Sequence, residues 1–381
     1  MNLFKKITAG LLAAATLVSF SGCSSSDTSW TYKLGDYTVT SGMYVGLSLT
    51  AYQEAQALEG FDASKTPFDQ QLEGEDGLKW VTDEAESLAR NYLAIEQKFD
   101  EMGLTVDEES QKSIDANAEA YYNYLDQIYG YADKGFGLES YKKLQLNQYK
   151  SSSIFNKTYG KGGSEEVSDE ELKEMFYSDY AKVFYIPVKT TETAEDGKES
   201  NRDQADIDAD IKMLTDRLEA GDDFQAVLDD YFAGEESIPT ASQYYAIVKK
   251  DDTQTPQAIL DFAFDSEIGD VGTSIDSTAS FVLKKMDITE SEEDFTTNRE
   301  SLLSALKSEE FNAKIDEWGN AVEPEKNEKA LSKHNPKNIK IKPTGTSSSS
   351  SESSSESSES SEESGETSSE SSETSSESNA E

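Results

Sequence analysis

Apolar residues at helical spacing mark two consecutive helices near the middle of the chain. Between residues 211 and 218 they recur three or four positions apart, so they form one stripe along a helix. Gly221 is expected to end this helix, because glycine readily adopts the left-handed conformation found after helix C-termini. Asp222 or Asp223 is expected to cap the second helix. Its stripe comprises Phe224, Val227, Leu228 and Tyr231.

Strand-like segments flank this helix pair. The segment 183–188, VFYIPV, is nearly continuously apolar and predicts a buried strand, with Pro187 favouring an edge or an end. After a polar loop, Lys189–Gln204, and the two helices, Ser242–Val248 predicts a second strand. A short helix over Pro256–Phe264 and two further strands follow, the last one Ser280–Met286. This order predicts one sheet packed against helices, hence an α+β class.

The first half of the chain and its last apolar segment are predicted to be helical. Trp30–Thr40 predicts a strand or small hairpin, and long helices are expected over Leu78–Met102 and Gly137–Lys161. A final amphipathic helix is expected over Phe295–Trp318. Between the long helices, Ala116–Tyr131 is rich in tyrosine. These tyrosines predict either ordinary helix packing or an amphipathic binding face.

The N-terminus has the layout of a signal peptide. Lys5 and Lys6 precede an apolar run, Ile7–Val18, that is too short to span a bilayer as a mature helix. The small residues before Cys23 resemble the lipobox of bacterial lipoproteins, with Phe20 in place of the usual aliphatic residue. We therefore expect lipidation of Cys23, a tether over 23–29, and localisation at the outer face of the bacterial cytoplasmic membrane. A buried structural cysteine is the alternative.

Charge narrows the range of partners. The chain of 381 residues has 34 Lys and Arg against 76 Asp and Glu, a net charge of −42. Nucleic-acid binding needs clustered cations, so no nucleic-acid partner is expected. Residues 344–381 are almost entirely Ser, Thr and Glu, cannot bury enough apolar surface to fold, and predict a disordered tail.

Several kinds of active site are incompatible with this composition. The chain has one histidine, His334, and one cysteine, which excludes a two-histidine zinc motif and a disulfide. A calcium-loop-like run beginning at Asp206 has Ile211 at the position that needs glycine and Arg217 at the position that needs glutamate. No metal and no cofactor are predicted.

Several phrases, taken in order, resemble the PrsA/SurA-type extracytoplasmic foldases, which carry a parvulin-like peptidyl-prolyl isomerase domain. The phrases span most of the mature chain, about 30–343. They are LARNYLAIEQKFDEMGLTVDEES (88–110), YKKLQLNQYKSSSIFNKTYG (141–160), VSDEELKEMFYSDYAKVFYIPV (167–188), RLEAGDDFQAVLDDYF (217–232) and TPQAILDFAFDSEIGDVGTSIDSTASFVLKKMDI (255–288).

The resemblance implies a division into domains. It implies a helical chaperone-like N-terminal domain, a parvulin-like module inserted after it, and a C-terminal helix that returns to the N-terminal domain. The predicted boundaries are 1–22 for the signal peptide, 23–29 for the tether, 30–165 for the helical domain, 166–290 for the module, 291–343 for the returning segment and 344–381 for the tail.

The resemblance also implies a binding site. Parvulins grip a proline ring in an apolar pocket and surround the rotating bond with a polar network that includes histidines on the first and last strands. Those histidine positions fall near Tyr185 and Phe281, and the module has no histidine. Phe264 matches the pocket phenylalanine, with Ile259 and Phe262 beside it. These five residues are the predicted substrate-binding residues, and ordinary core packing is the alternative.

The predicted function is a membrane-anchored foldase or chaperone that acts on unfolded or newly secreted polypeptides, with isomerase activity left open. One alternative is a lipoprotein that binds a small molecule for a transport system, although the repeated βαβ units usual in such proteins are absent from the pattern. The other is a passive surface lipoprotein.

Overall fold

The computed structural model describes residues 29–193, 199–235, 237–275 and 280–339. The predicted signal peptide, Cys23 and the acidic tail 344–381 lie outside these residues. Helices dominate the described chain, together with one four-stranded antiparallel sheet, so the predicted α+β class is confirmed. None of the described helices combines the length and the apolar character that crossing a bilayer requires.

The helices of the described ranges follow one another with short connections in most places. They are α1 (Ser41–Ala57), α2 (Gly77–Glu101), α3 (Glu108–Tyr129), α4 (Leu138–Tyr159), α5 (Asp169–Asp179), α6 (Gln204–Ala220), α7 (Phe224–Tyr231), α8 (Gln257–Asp265), α9 (Glu292–Ala321) and α10 (Glu328–Lys333).

Within the described ranges the strands form one main sheet and three small ones. They are β1 (Trp30–Leu34), β2 (Tyr37–Thr40), β3 (Gln71–Leu72), β4 (Glu75–Asp76), β5 (Tyr180–Val188), β6 (Thr191–Thr193), β7 (Glu199–Asn201), β8 (Tyr245–Lys249), β9 (Val271–Ile275), β10 (Ser280–Met286) and β11 (Glu325–Lys326). The main sheet has the order β8-β5-β10-β9 with every neighbouring pair antiparallel.

Helix α2 is the centre of the helical region. Its start is capped by Asp76, whose carboxylate accepts from the backbone N–H of Lys79 at 3.0 Å. Four small or branched residues lie four positions apart on one face and are completely buried: Val81, Ala85, Ala89 and Leu93. Because this face is narrow, α1 packs closely along it, and the two helices share one core.

The C-terminal helix α9 returns to α2 and α4, as the sequence predicts. Buried Phe311 contacts the rings of Phe155 and Tyr159 on α4. Gly319 lies directly against α2, since a Cβ there would be 1.9 Å from Oδ1 of Asn91. The chain therefore leaves the helical region at α4, builds the sheet, and re-enters along α9.

The helix pair that precedes β8 has the predicted ends. Gly221 follows α6 with φ of 80°, in the left-handed conformation. Of the two candidate caps, Asp223 is the one used, because its side chain accepts from the backbone N–H of Ala226 at 3.0 Å. Both helices pack on one face of the main sheet, where Phe184 and Ile186 are fully buried.

Two predicted segments differ in detail. The predicted strand Ser242–Val248 begins only at Tyr245, because Ala241–Tyr244 forms a 3₁₀ turn. Thr240 and Gln243 close this turn reciprocally in a capping box. The predicted loop Lys189–Gln204 contains the small β6–β7 hairpin. Both differences arise from local hydrogen bonding that periodicity alone does not register.

A carboxylate links α9 to α4 and gives a pH-dependent prediction. Glu310 accepts from the hydroxyl of Tyr159 at 2.9 Å and pairs with Lys307 at 2.9 Å. The Lys307 hydrogen bond, followed by that of Tyr159, lowers the pKa of Glu310 from 4.5 to about 2. Because the folded pKa is depressed, its contribution to stability is present above pH 4.5 and is lost as the pH falls towards 2.

We therefore expect Glu310→Gln to lose less stability than wild type between pH 4.5 and 2. Urea unfolding at a series of pH values measures the difference between the two profiles. Profiles of the same slope across this window would show that the Glu310 contacts do not favour the ionised form in the folded chain.

Candidate functional site

The two faces of the main sheet are covered differently. On one face α6 and α7 bury Phe184, Ile186 and Val282 of β5 and β10. On the other face α8 places Leu260 and Ala263 over Ala181 and Val183. Side chains alternate along a strand, so Tyr185 and Pro187 continue this second face beyond Val183. Both are only half-buried.

The register of the sheet brings two predicted residues together. Phe281 lies opposite Pro187, and Leu283 lies opposite Tyr185, so all four point to the α8 side. The rings of Tyr185 and Phe281 are 6.0 Å apart at 75°. This edge-to-face arrangement is favourable between aromatic rings and leaves part of each ring open.

Two further aromatic residues extend this pair. Tyr244, in the 3₁₀ turn before β8, meets Tyr185 edge-to-face at 5.6 Å. Phe232, just after α7, stacks on Tyr244 at 6.1 Å. Tyr185, Tyr244, Phe281 and Phe232 are all half-buried, and we refer to them as the ring cluster. Tyr244 and Phe232 are not among the predicted site residues.

The predicted residues of α8 lie apart from the ring cluster. Phe262 covers Gly272 of β9, where a Cβ would be 2.5 Å from its ring. Phe264 lies beneath the amine of Lys285, with 5.5 Å between the amine nitrogen and the ring centroid. Lys285 is four residues along β10 from Phe281, which corresponds to about 13 Å of strand. Ile259 is half-buried in the first part of α8. In the described chain, no ring contact joins Phe262 or Phe264 to the ring cluster.

The polar groups around these rings are phenols and amines. Burial, followed by the nearby Tyr185, raises the pKa of Tyr244, so its hydroxyl stays protonated at neutral pH and can donate a hydrogen bond. Lys285 donates to the carbonyl of Ala263, and burial lowers its pKa. The single histidine, His334, caps the end of α10, outside the sheet. The site can therefore bind apolar rings, and it has no imidazole with which to exchange protons.

A second concave site lies in the helical region. A cleft of about 450 Å³ is lined by residues of α1, α2 and α4, together with Tyr131 and Phe136. Its walls are mainly apolar, with the amides of Gln53, Gln145 and Gln148 at the lining. Cavities of roughly 300–1,000 Å³ with such walls suit small organic molecules.

No cluster of three or more histidine, cysteine, aspartate or glutamate side chains is placed to hold a metal ion within the described residues. Acidic side chains are numerous, and some of them pair with lysine or arginine or cap helices, as with Lys79 between Glu75 and Asp83.

Comparison with known proteins gives structural matches only. No family model matches the sequence, and no curated protein matches it significantly. Among solved structures, PrsA from Bacillus subtilis is 15% identical, with 81% of this chain and 93% of that chain covered and a TM-score of 0.30. The foldase protein PrsA from Streptococcus pneumoniae is 17% identical, with 72% and 94% covered and a TM-score of 0.34.

A peptidylprolyl isomerase, PrsA from Bacillus cereus, is 13% identical, with 68% and 90% covered and a TM-score of 0.27. These matches are PrsA proteins, the group that the sequence resembles. At such low identities and TM-scores, however, the likeness assigns no activity to this chain.

Proposed function

We propose that this chain is an extracytoplasmic foldase of the holding type, which binds unfolded secreted polypeptides on the ring cluster. The observation that supports this proposal is the half-buried state of four adjoining rings. Tyr185 and Phe281 lie on the sheet face that α8 covers only in part, and Tyr244 and Phe232 continue from them to the core under α6 and α7. By contrast, the ring of Phe184, which β5 directs to the opposite face, is fully buried.

Rotation about an Xaa-Pro bond is not part of the proposed activity. Its barrier is about 18–20 kcal/mol, and parvulins, which this chain resembles, surround the twisting amide with a polar network. At the two positions where the resembled family has histidines, this chain has Tyr185 and Phe281. These rings add apolar surface and remove the proton-sharing network, which favours holding a client over isomerising it.

The proposal includes anchoring by lipid on Cys23 at the outer face of the cytoplasmic membrane. Its support is the sequence alone, namely the two lysines, the short apolar run and the small residues before Cys23. Two acyl chains are enough for stable membrane association.

Two assays on the purified full chain test this function. We expect it to suppress the aggregation of a chemically unfolded client at near-equal molar ratio. We expect the proline-limited refolding of a test protein to proceed at the same rate with and without it. Aggregation that is unchanged by the chain would refute the holding function, whereas faster refolding would show that isomerase activity persists.

Small-molecule binding is the second candidate function, and the helical cleft is the observation that favours it. Leu144 lies in the wall of this cleft, so Leu144→Trp would fill part of the space. Tight, saturable calorimetric binding of one metabolite, abolished by Leu144→Trp, would support this function and replace the holding proposal.

A further inference from the structure

Helix α3 exposes an apolar stripe that the sheet site does not explain. Tyr121 is 65% exposed, Tyr124 62% and Ile128 53%, and Tyr129 beside them is 49% exposed. The first three are three or four residues apart, so they lie along one side of the helix. Exposed apolar side chains that are contiguous in this way mark an interaction surface more often than scattered ones do.

The stripe is not the side by which α3 contacts the rest of the protein, because a neighbouring side of the helix makes those contacts. Ala118 and Tyr122 are buried there, and α3 rests mainly on α4. The hydroxyl of Tyr122 donates to the carbonyl of Phe136 at 2.8 Å, and its ring lies 5.7 Å from that of Tyr141. The tyrosine-rich segment thus divides its side chains between a packed side and an open side.

The stripe itself carries no charge, and the exposed charges of α3, among them Glu119, lie further round the helix. The exposed residues next to the stripe are small or carry uncharged polar groups: Ser113, Ala116, Asn117, Ala120, Asn123 and Gln127. The centres of protein interfaces are likewise rich in tyrosine and poor in charge. Asparagine and glutamine amides can both donate to and accept from the backbone of an extended chain.

The negative charge of α3 and of the whole chain indicates which class of molecule the stripe binds. Helix α3 has five acids and one lysine, a net charge of −4, and the lysine, Lys112, is paired with Glu108 at 2.6 Å. The whole chain carries −42. Charge of one sign repels a second copy of this chain and an anionic lipid surface, and it attracts cationic polypeptides.

We propose that the α3 stripe docks extended, cationic segments of unfolded clients through their apolar side chains. This inference rests on the proposed holding function and specifies the clients' chemistry. From Tyr121 to Ile128 the stripe is about 10 Å long, which matches three residues of an extended chain. Two apolar side chains at alternate positions of the client would face the stripe, while its Lys and Arg side chains would lie towards the acids of the surrounding surface.

The test uses the full chain and two unstructured, proline-free 12-residue peptides. One contains four leucines and four lysines, and the other has glutamates in place of the lysines. We expect the lysine peptide to bind at least about tenfold more tightly than the glutamate peptide at about 0.15 M salt. The triple variant Tyr121→Ser, Tyr124→Ser, Ile128→Ser should weaken binding of the lysine peptide by about tenfold.

Serine and tyrosine have similar helix propensities, so the triple variant should keep its helix content. Ile238→Ser with Ile268→Ser is the matched control, because both isoleucines are exposed outside α3, and its affinity should equal that of wild type.

Equal affinities of the triple variant and wild type would overturn the proposal. So would equal affinities of the two peptides, stripe-dependent binding to anionic vesicles instead of the peptide, or stripe-dependent dimerisation. In each of these cases aggregation suppression by wild type would still stand, so failure of the docking surface is distinguishable from failure of the holding function.

Discussion

Replacing Phe311 with alanine is expected to lower the free energy of unfolding by about 3–5 kcal/mol. Phe311 is 5% exposed, and its ring lies 5.3 Å from Phe155 of α4 and 6.1 Å from Trp318 of its own helix. Alanine would leave a cavity between α9 and α4, which these rigid helices can close only in part. The same substitution would weaken the packing of α9 against α4, which completes the helical region.

Urea unfolding of the full chain measures this cost, with Glu309→Ala as the control. Glu309 is the exposed neighbour two positions earlier on α9, so its replacement should change stability by no more than about 0.5 kcal/mol. A cost below about 1 kcal/mol for Phe311→Ala would mean that α9 is not held by this contact.

The double variant Tyr185→Thr, Phe281→Thr should require about tenfold more protein than wild type to halve client aggregation. The two rings meet edge-to-face at 6.0 Å on the open sheet face, and together they form the centre of the ring cluster. Threonine keeps the β-propensity of the strands while removing the apolar ring area. We therefore expect the double variant to weaken client binding more than it lowers the stability of the fold.

Circular dichroism of the double variant checks that the sheet is retained. Ile268→Thr is a matched control, since Ile268 is exposed in the turn between α8 and β9, and it should suppress aggregation as well as wild type does. If the double variant remains folded and fully active, the ring cluster does not hold the client.

The helices were largely predictable because their signals are local. Gly221 and Asp223 mark the ends of α6 and α7 through one glycine conformation and one side-chain cap. The return of α9 was also predicted, although only through the resemblance, because no local pattern specifies which distant helix a stripe will meet. The domain boundaries and the lipid on Cys23 remain predictions.

The site was predicted in part, since its geometry depends on strand register. Tyr185 and Phe281 are 96 positions apart in the sequence and become neighbours because β10 pairs with β5. The resemblance groups Phe264 with them, but the orientation of α8 places it against Lys285 instead. Tyr244 was missed because the turn that aims it at Tyr185 is fixed by the capping box of Thr240 and Gln243.

Photo-crosslinking tests most directly whether clients lie on the open face of the sheet. A benzophenone side chain at position 185 places the reactive group in the ring cluster, and the same group at Glu219 places it at the exposed end of α6, on the helices that cover the opposite face. An unfolded client should crosslink from position 185 and not from position 219. Equal crosslinking from both positions, or crosslinking from position 219 alone, would contradict client binding at the ring cluster.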